Sequence, residues 1–196
     1  MRFSVIITAH NLEDYIDQAI MSVEKQSFTD REIIVVCDAC TDRTVQLVQS
    51  HSVRLIEVSL CAPGLARNAG LDAARGEYVL FLDGDDIYLH NYALEMIDKA
   101  LHEVQLDVLN FGFIYGQLGY APSRHPSGGV WINVWSHAWR RSFVGAERFG
   151  TARYAEDEEF CKRMFSKPMK MGEWNTPLVF YTYPRAGSLS EEAGSK

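Results

Sequence analysis

Apolar positions along this chain fall into two alternating rhythms, short continuous runs of strand length and longer stretches at helical spacing. Residues 2–9 contain Phe3, Val5, Ile6 and Ile7, a β-branched run that predicts a buried first strand. Leu12, Tyr15, Ile16, Ala19, Ile20 and Val23 then recur on one helical face and predict an amphipathic helix with Asn11 as its N-cap. Residues 31–37, with Ile33, Ile34, Val35 and Val36, predict a second buried strand that presents Asp38 at its end. A short helix from Thr41 with Val45 and Val48 inward follows, then a third strand over residues 53–58. A turn at residues 61–64 leads into a small-residue helix over 65–75, for which Gly76 is the expected C-cap. Tyr78-Val79-Leu80-Phe81-Leu82 is then a strand with both faces buried. The order βαβαβαβ predicts an α/β fold with a Rossmann-like, mostly parallel central sheet flanked by helices.

The second half is less regular. Residues 91–104 make another amphipathic helix and residues 106–115 another strand, whereas residues 116–130, rich in Gly, Pro and Ser, read as a lid or binding loop. Trp131, Trp135, Trp139 and Phe143 recur every four residues, as an apolar face covering the sheet or as a surface for stacking on a sugar or base. Phe160, Met164 and Phe165 give a helix its buried side, with Glu156, Asp157, Glu158 and Glu159 in the first turn, where negative charge is favoured. Residues 178–183 predict a last strand, and the tail from Arg185 is expected to be mobile.

Composition narrows the class. A chain of 196 residues, 47% hydrophobic and 23% charged, is expected to form one soluble globular domain over residues 1–196. The net charge of -7 argues against a dominant nucleic-acid backbone partner. No run approaches the roughly 20 apolar residues of a membrane-spanning helix, and the strand pattern begins at once, leaving no room for a signal peptide. The expected setting is cytoplasmic, with peripheral contact to a membrane surface left open. Cys37 and Cys40 form a Cys-x-x-Cys pair, but no helix opens at it and no second ligand pair stands at comparable spacing. The cysteines therefore read as ordinary buried or loop thiols.

Candidate chemistry gathers at the C-terminal ends of the predicted strands, where open α/β sheets bind ligands. Residues 8–11, 38–42 and 83–86 are all polar there. Asp83 and Asp85, either side of Gly84, can direct oxygens at one hard divalent cation whose other ligands are water and substrate phosphates. Taken alone, such a cluster reads more often as a polar turn with Asp86 as a helix N-cap. No Gly-x-Gly-x-x-Gly follows any strand, which argues against a dinucleotide dehydrogenase. Thr8-Ala9-His10-Asn11 likewise lacks the Gly-rich phosphate loop of a sugar nucleotidyltransferase.

Five segments in order resemble the family 2 glycosyltransferases of the GT-A fold over nearly the whole chain. Thr8-Ala9-His10-Asn11 stands where the family usually has Pro-Ala-Tyr-Asn, and Val36-Cys37-Asp38-Ala39-Cys40-Thr41-Asp42 where it has Val-Asp-Asp-Gly-Ser-Thr-Asp. Gly64-Leu65-Ala66-Arg67-Asn68-Ala69-Gly70-Leu71, the stretch from Gly76 through Leu82-Asp83-Gly84-Asp85-Asp86, and Glu156-Asp157-Glu158-Glu159-Phe160 complete the match. The resemblance implies a nucleotide-sugar donor, most often a UDP-sugar, with Mn2+ or Mg2+ on its diphosphate. By position Thr8, Ala9 and His10 border the nucleotide, Asp38 meets the base, and Arg67 lies near the base or diphosphate. Asp83 approaches the ribose or metal, Asp85 is the surest metal ligand, and Asp157, with Glu156 beside it, matches the catalytic base. Arg185, with Ser188 and Ser190, resembles a late Arg and Ser pattern that reaches the diphosphate when a C-terminal loop closes. An acceptor hydroxyl needs a carboxylate to take its proton, so the implied reaction is a single inverting displacement.

Residues 1–105 then form the nucleotide-sugar-binding half and residues 106–196 the acceptor half. His10 replaces the usual aromatic residue, Cys37 and Cys40 replace the usual Asp and Ser, and the Gln-x-x-Arg-Trp segment of processive synthases is absent. The acceptor is expected among glycans, lipid-linked glycans and proteins, with a modified nucleobase disfavoured by the chain's acidity. The sequence specifies neither the sugar nor the oligomeric state. A non-catalytic nucleotide-sugar-binding module is the alternative from another class, and a sugar nucleotidyltransferase a weaker one.

Overall fold

Nine strands and six helices follow one another in the order β1 (Phe3–Ala9), α1 (Ile16–Glu24), β2 (Arg31–Asp38), α2 (Thr44–Val48), β3 (Arg54–Val58), α3 (Pro63–Ala73), β4 (Tyr78–Asp83), β5 (Ile87–Tyr88), α4 (Ala93–Glu103), β6 (Val108–Tyr115), β7 (Gly119–Ala121), β8 (His137–Arg140), α5 (Arg141–Val144), α6 (Glu156–Phe165) and β9 (Met171–Tyr181) among the described residues. The computed structural model describes residues 1–123, 125, 129–185 and 188. The strands form one sheet in the order β3-β2-β1-β4-β8-β6-β9-β5, with β7 paired to β6. β1 is parallel to β2 and β4, with Ala9 opposite Cys37 and Thr8 opposite Asp83, so three strand ends carrying polar groups reach one edge.

Alternation along the strands assigns each apolar side chain to a face. Val5, Ile7, Val35, Leu80 and Leu82 pack with Ile16 and Ile20 of α1, Val48 of α2 and Leu94 and Ile97 of α4. Ile6, Ile34, Val36, Val79 and Phe81 pack on the other face with Ala66 and Leu71 of α3, Val144 of α5, and Phe160 and Met164 of α6. Because both faces are covered, the strands need unbroken apolar runs, and the sequence supplies them.

The structure departs from the sequence reading in several places, each for a local reason. Asn11 is not an N-cap: its φ is 52, its Oδ1 accepts the Thr41 N–H at 2.8 Å, and the helix begins only at Ile16. Gly76 is not a C-cap either, since α3 gives way to extended backbone at Ala74. Gly76 is there because a Cβ would lie 2.5 Å from the Ser4 backbone nitrogen. Asp86 caps no helix, the next one starting at Ala93.

Further along, β9 is much longer than the expected strand, running past Pro177, which a register shift beside Gly112 of β6 accommodates. The tryptophan series is neither one helix nor one strand. Trp135 lies in a 3-10 turn and Trp139 in β8, both buried, so the covering role holds for these two. β8, unforeseen, inserts antiparallel between β4 and β6. Residues 116–130 contain a 3-10 turn and β7 rather than an open loop, while 124 and 126–128 lie outside the described residues. The expectation of a mobile tail concerns 186–187 and 189–196, also outside them. Among the described residues, no helix is long and apolar enough to cross a membrane.

One ion network ties α1 to the loop after α2. His51 meets Glu24 through Nδ1 and Asp17 through Nε2, both at 3.1 Å. Burial alone would lower its proton affinity, but the two carboxylates outweigh it and raise the imidazole above its ordinary value. A raised histidine contributes stability that is complete below the unfolded value, about 6.5, and is lost as pH rises through the folded one. His51→Gln is therefore expected to lower the urea midpoint at about pH 6 and to approach the parent at clearly alkaline pH. A deficit independent of pH would show that packing, not charge, is what His51 supplies.

Candidate active site

The edge where β1, β2 and β4 end is built from loops that turn sharply. Asn11, Ala39 and Cys61, in the loops after β1, β2 and β3, all have positive φ, as does Ala155 at the entrance to α6. None is glycine, so each holds a left-handed backbone that costs an L-residue roughly 1–2 kcal/mol.

Asp38, at the end of β2, is buried and its carboxylate holds the next loop. Oδ1 accepts the N–H groups of Leu60 at 2.6 Å and Cys61 at 3.0 Å, and Oδ2 accepts that of Ala62 at 3.1 Å. The residue that the resemblance assigns to the base thus has a structural task, leaving spare acceptor capacity on Oδ2. His10 donates from Nδ1 to the Asp38 backbone carbonyl at 2.7 Å, which directs Nε2 away from that strand. Ala9 is buried beneath, and Cys40 Sγ lies 3.5 Å from the Ala9 carbonyl. Cys37 and Cys40 share a hydrogen bond that moves their thiols apart, Cys40 down to about 7 and Cys37 up.

The centre of the edge is Arg67. It is buried on α3, and its guanidinium bridges two elements, Nη2 donating to Asp83 Oδ1 at 2.7 Å and Nη1 donating to Glu156 Oε1. Phe149 lies under the guanidinium, 5.8 Å from its carbon to the ring centre. Burial opposes its charge, yet Asp83, Glu156 and Asp157 together hold Arg67 above its ordinary range. Its Nε is buried with no hydrogen-bond partner among the described residues. Thr8 adds a long 3.5 Å contact from its hydroxyl to Asp83 Oδ1.

Asp157 opens α6 one residue beyond Glu156, with Oδ1 accepting its neighbour's N–H, that of Glu158, at 2.9 Å. Burial pushes its carboxyl up to about 6; Arg67 works against this, while Glu156 and Asp83 add to it. A carboxylate so poised is a candidate proton acceptor near neutral pH.

Asp85 and Asp86 occupy the turn after β4. Asp85 Oδ2 accepts Arg185 Nε at 2.5 Å, and the guanidinium lies 5.5 Å from the Tyr15 ring. Burial, then Asp83, raises the Asp85 carboxyl while Arg185 lowers it. Asp86 is buried and structural: Oδ1 accepts the Thr182 N–H at 2.8 Å, and the Thr182 hydroxyl donates to the Asp85 carbonyl. No group of three His, Cys, Asp or Glu side chains among the described residues is arranged to hold a metal. The pair Asp83 and Asp85 nevertheless suits a hard cation that keeps water and phosphate ligands, and each already draws a cationic partner.

The structure thus brings Thr8, Arg67, Asp83, Glu156 and Asp157 together and joins Asp85 to Arg185. Ser188 is buried and described, whereas Ser190 lies outside the described residues. That Arg67 bridges α6 to β4 has no local pattern in the sequence, since the contact spans 89 positions.

A family model described as glycosyl transferase family 2 matches residues 4–168. Poly(ribitol-phosphate) beta-N-acetylglucosaminyltransferase TarS of Staphylococcus aureus is 38% identical over 117 residues, 56% of this chain and 20% of that protein. EpsJ of Bacillus subtilis, an uncharacterized glycosyltransferase, is 27% identical over 209 residues, 91% of this chain and 60% of that protein. The chain therefore spans less than two thirds of the length of these relatives. TarS 1–349 in complex with UDP-GlcNAc superposes with TM-score 0.86 at 24% identity, over 97% of this chain and 61% of that one. Glucosyl-3-phosphoglycerate synthase from Mycobacterium tuberculosis, in complex with Mn2+, UDP and phosphoglyceric acid, gives 0.74 at 18%, over 98% and 73%. These likenesses show the fold.

Proposed function

The chain belongs to glycosyl transferase family 2 and has the GT-A fold, and from that premise we propose that it moves a sugar from a UDP-sugar to an acceptor hydroxyl with inversion, using Asp157 as general base. The observation that carries this reading is the Arg67 bridge, which holds the helix bearing Asp157 against the aspartate-rich end of β4. A base and a diphosphate site must face one another across the anomeric carbon for an in-line displacement, and a rigid buried guanidinium fixes that spacing.

Residues 1–105 supply the donor side. Thr8, Ala9 and His10 border the nucleotide, with the outward Nε2 edge of His10 facing the base and the spare Oδ2 acceptor of Asp38 behind it. Asp83 and Asp85 would hold Mn2+ or Mg2+, which when bound neutralises the departing diphosphate. Arg185, now paired with Asp85, is placed to turn toward that diphosphate. Glu156 positions Arg67, and Asp157 accepts the hydroxyl proton as the new bond forms. Residues 106–196 supply the acceptor side. TarS, whose structure holds UDP-GlcNAc, supports UDP as the nucleotide.

UDP together with Mn2+ is expected to raise the melting temperature more than either alone, with about 2.7 kcal/mol of stabilisation at a ligand concentration 100 times Kd. Asp85→Asn should remove the Mn2+-dependent increment. Equal stabilisation by UDP in Mn2+ and in chelator would refute the metal assignment, and no response to UDP at all would refute the donor class. Donor binding without any sugar release over long incubation would return the chain to a binding module.

A further inference from the structure

We propose that the acceptor is a saccharide presenting a pyranose ring, received on a tyrosine platform formed by Tyr115, Tyr154 and Tyr183 at the mouth of the cleft. This rests on the transferase reading above and adds the substrate class to it.

A column of near-parallel rings leads outward from the core. Trp135, 5% exposed, stacks on Tyr181 with centroids 4.8 Å apart and planes 12° apart, and Tyr181 stacks on Tyr183 at 6.1 Å and 9°. Tyr115, at the end of β6, places its ring 5.1 Å from each of these tyrosines. Tyr154 is 56% exposed, and burial, with the hydroxyls of Tyr183 and Tyr154 adding to it, pushes the Tyr115 phenol up. A Cβ on Gly116 would lie 1.7 Å from the Tyr183 carbonyl oxygen, so the ends of β6 and β9 meet backbone to backbone.

Location decides what the platform is for. Thr182, between Tyr181 and Tyr183, is bonded to Asp85 and Asp86, and Arg185, two residues after Tyr183, is paired with Asp85. Tyr154 stands three residues before Asp157. Tyr183 is thus tied to the Asp85 turn and Tyr154 lies just ahead of α6 along the chain; in this proposal the molecule that offers a hydroxyl to Asp157 comes in beside them. A pyranose has a flat C–H face with hydroxyls around its rim, which matches an aromatic face carrying a phenolic oxygen at its edge. An open-chain polyol phosphate has no such face to lay on the rings.

Saturation-transfer NMR on the full chain tests this, with methyl β-D-glucopyranoside, methyl N-acetyl-β-D-glucosaminide, a β-linked disaccharide and ribitol 5-phosphate as probes, each with and without UDP and Mn2+. At least one pyranoside is expected to receive saturation at its ring C–H positions. Tyr154→Ala and Tyr183→Ala should weaken that binding by about 3- to 10-fold, while Tyr154→Phe and Tyr183→Phe keep most of it. UDP binding measured by calorimetry should stay within twofold in all four variants. Binding of ribitol 5-phosphate alone, no response from any pyranoside, or pyranoside binding indifferent to Tyr154→Ala and Tyr183→Ala would overturn the proposal. Pyranoside binding that follows the tyrosines in a chain that ignores UDP would uphold the platform while refuting the transferase reading.

Discussion

Asp157→Asn is expected to lower turnover by about 10²–10⁴-fold while making the metal-free protein more stable at neutral pH. The two effects share one cause. Burial, with Glu156 and Asp83 adding to it and Arg67 opposing, holds the Asp157 carboxyl at about 6, against about 3.9 in an unfolded chain. The folded state binds that proton more tightly, so the favourable contribution is present below the unfolded value and is lost as pH rises through about 6. At pH 7 the ionised side chain costs up to about 3 kcal/mol, which Asn escapes. In urea unfolding with chelator present, the variant should gain stability at pH 7 and lose that gain below about pH 4. The parent's kcat/KM should fall about tenfold per pH unit below the Asp157 value, since the base must be ionised. Near-normal sugar transfer by a folded Asp157→Asn protein would take the base role away from this residue.

Arg67→Ala should have the opposite character, destabilising the fold by about 3–5 kcal/mol because it strands charge on buried Glu156 and half-buried Asp83. Lys is not expected to rescue it, since a single ammonium cannot span two carboxylates on different elements as a planar fork does. Adding Glu156→Gln to Arg67→Met should recover part of the loss, because the pair then leaves one stranded carboxylate instead of two. Urea midpoints of the four proteins decide the matter: a loss below about 1 kcal/mol for Arg67→Ala would mean that water reaches the bridge and that the two halves of the site are not locked together.

Much of this architecture was legible in the order of the residues. The strands β1, β2 and β4 are buried on both faces, so their sequences are continuous apolar runs that admit one reading, and the acidic turn after Leu82 stands out against them. What escaped was whatever depends on partners distant along the chain. β8 is a four-residue insertion whose existence rests on pairing with β4 and β6. The first half of β9 carries Glu173, Asn175 and Pro177, which read as loop until Gly112 opposite makes room. Gly76 and Asn11 stand where caps are expected, but their roles come from Ser4 and Thr41 on other segments. At the site, residue types pointed to the chemistry, while the Arg67 bridge, the backbone donors around Asp38 and the tyrosine column needed three dimensions.

The four left-handed residues have a consequence for how such a chain tolerates change. Asn11, Ala39, Cys61 and Ala155 concentrate conformational tension in loops that flank the candidate chemistry, while helices and strands elsewhere relax into ordinary geometry. Glycine at any of them would ease the backbone but would also widen the range of shapes open to the unfolded chain and to the loop itself. Robustness and a well-defined cleft therefore pull in different directions at these positions, and laboratory selection for heat resistance alone would be free to trade the second for the first.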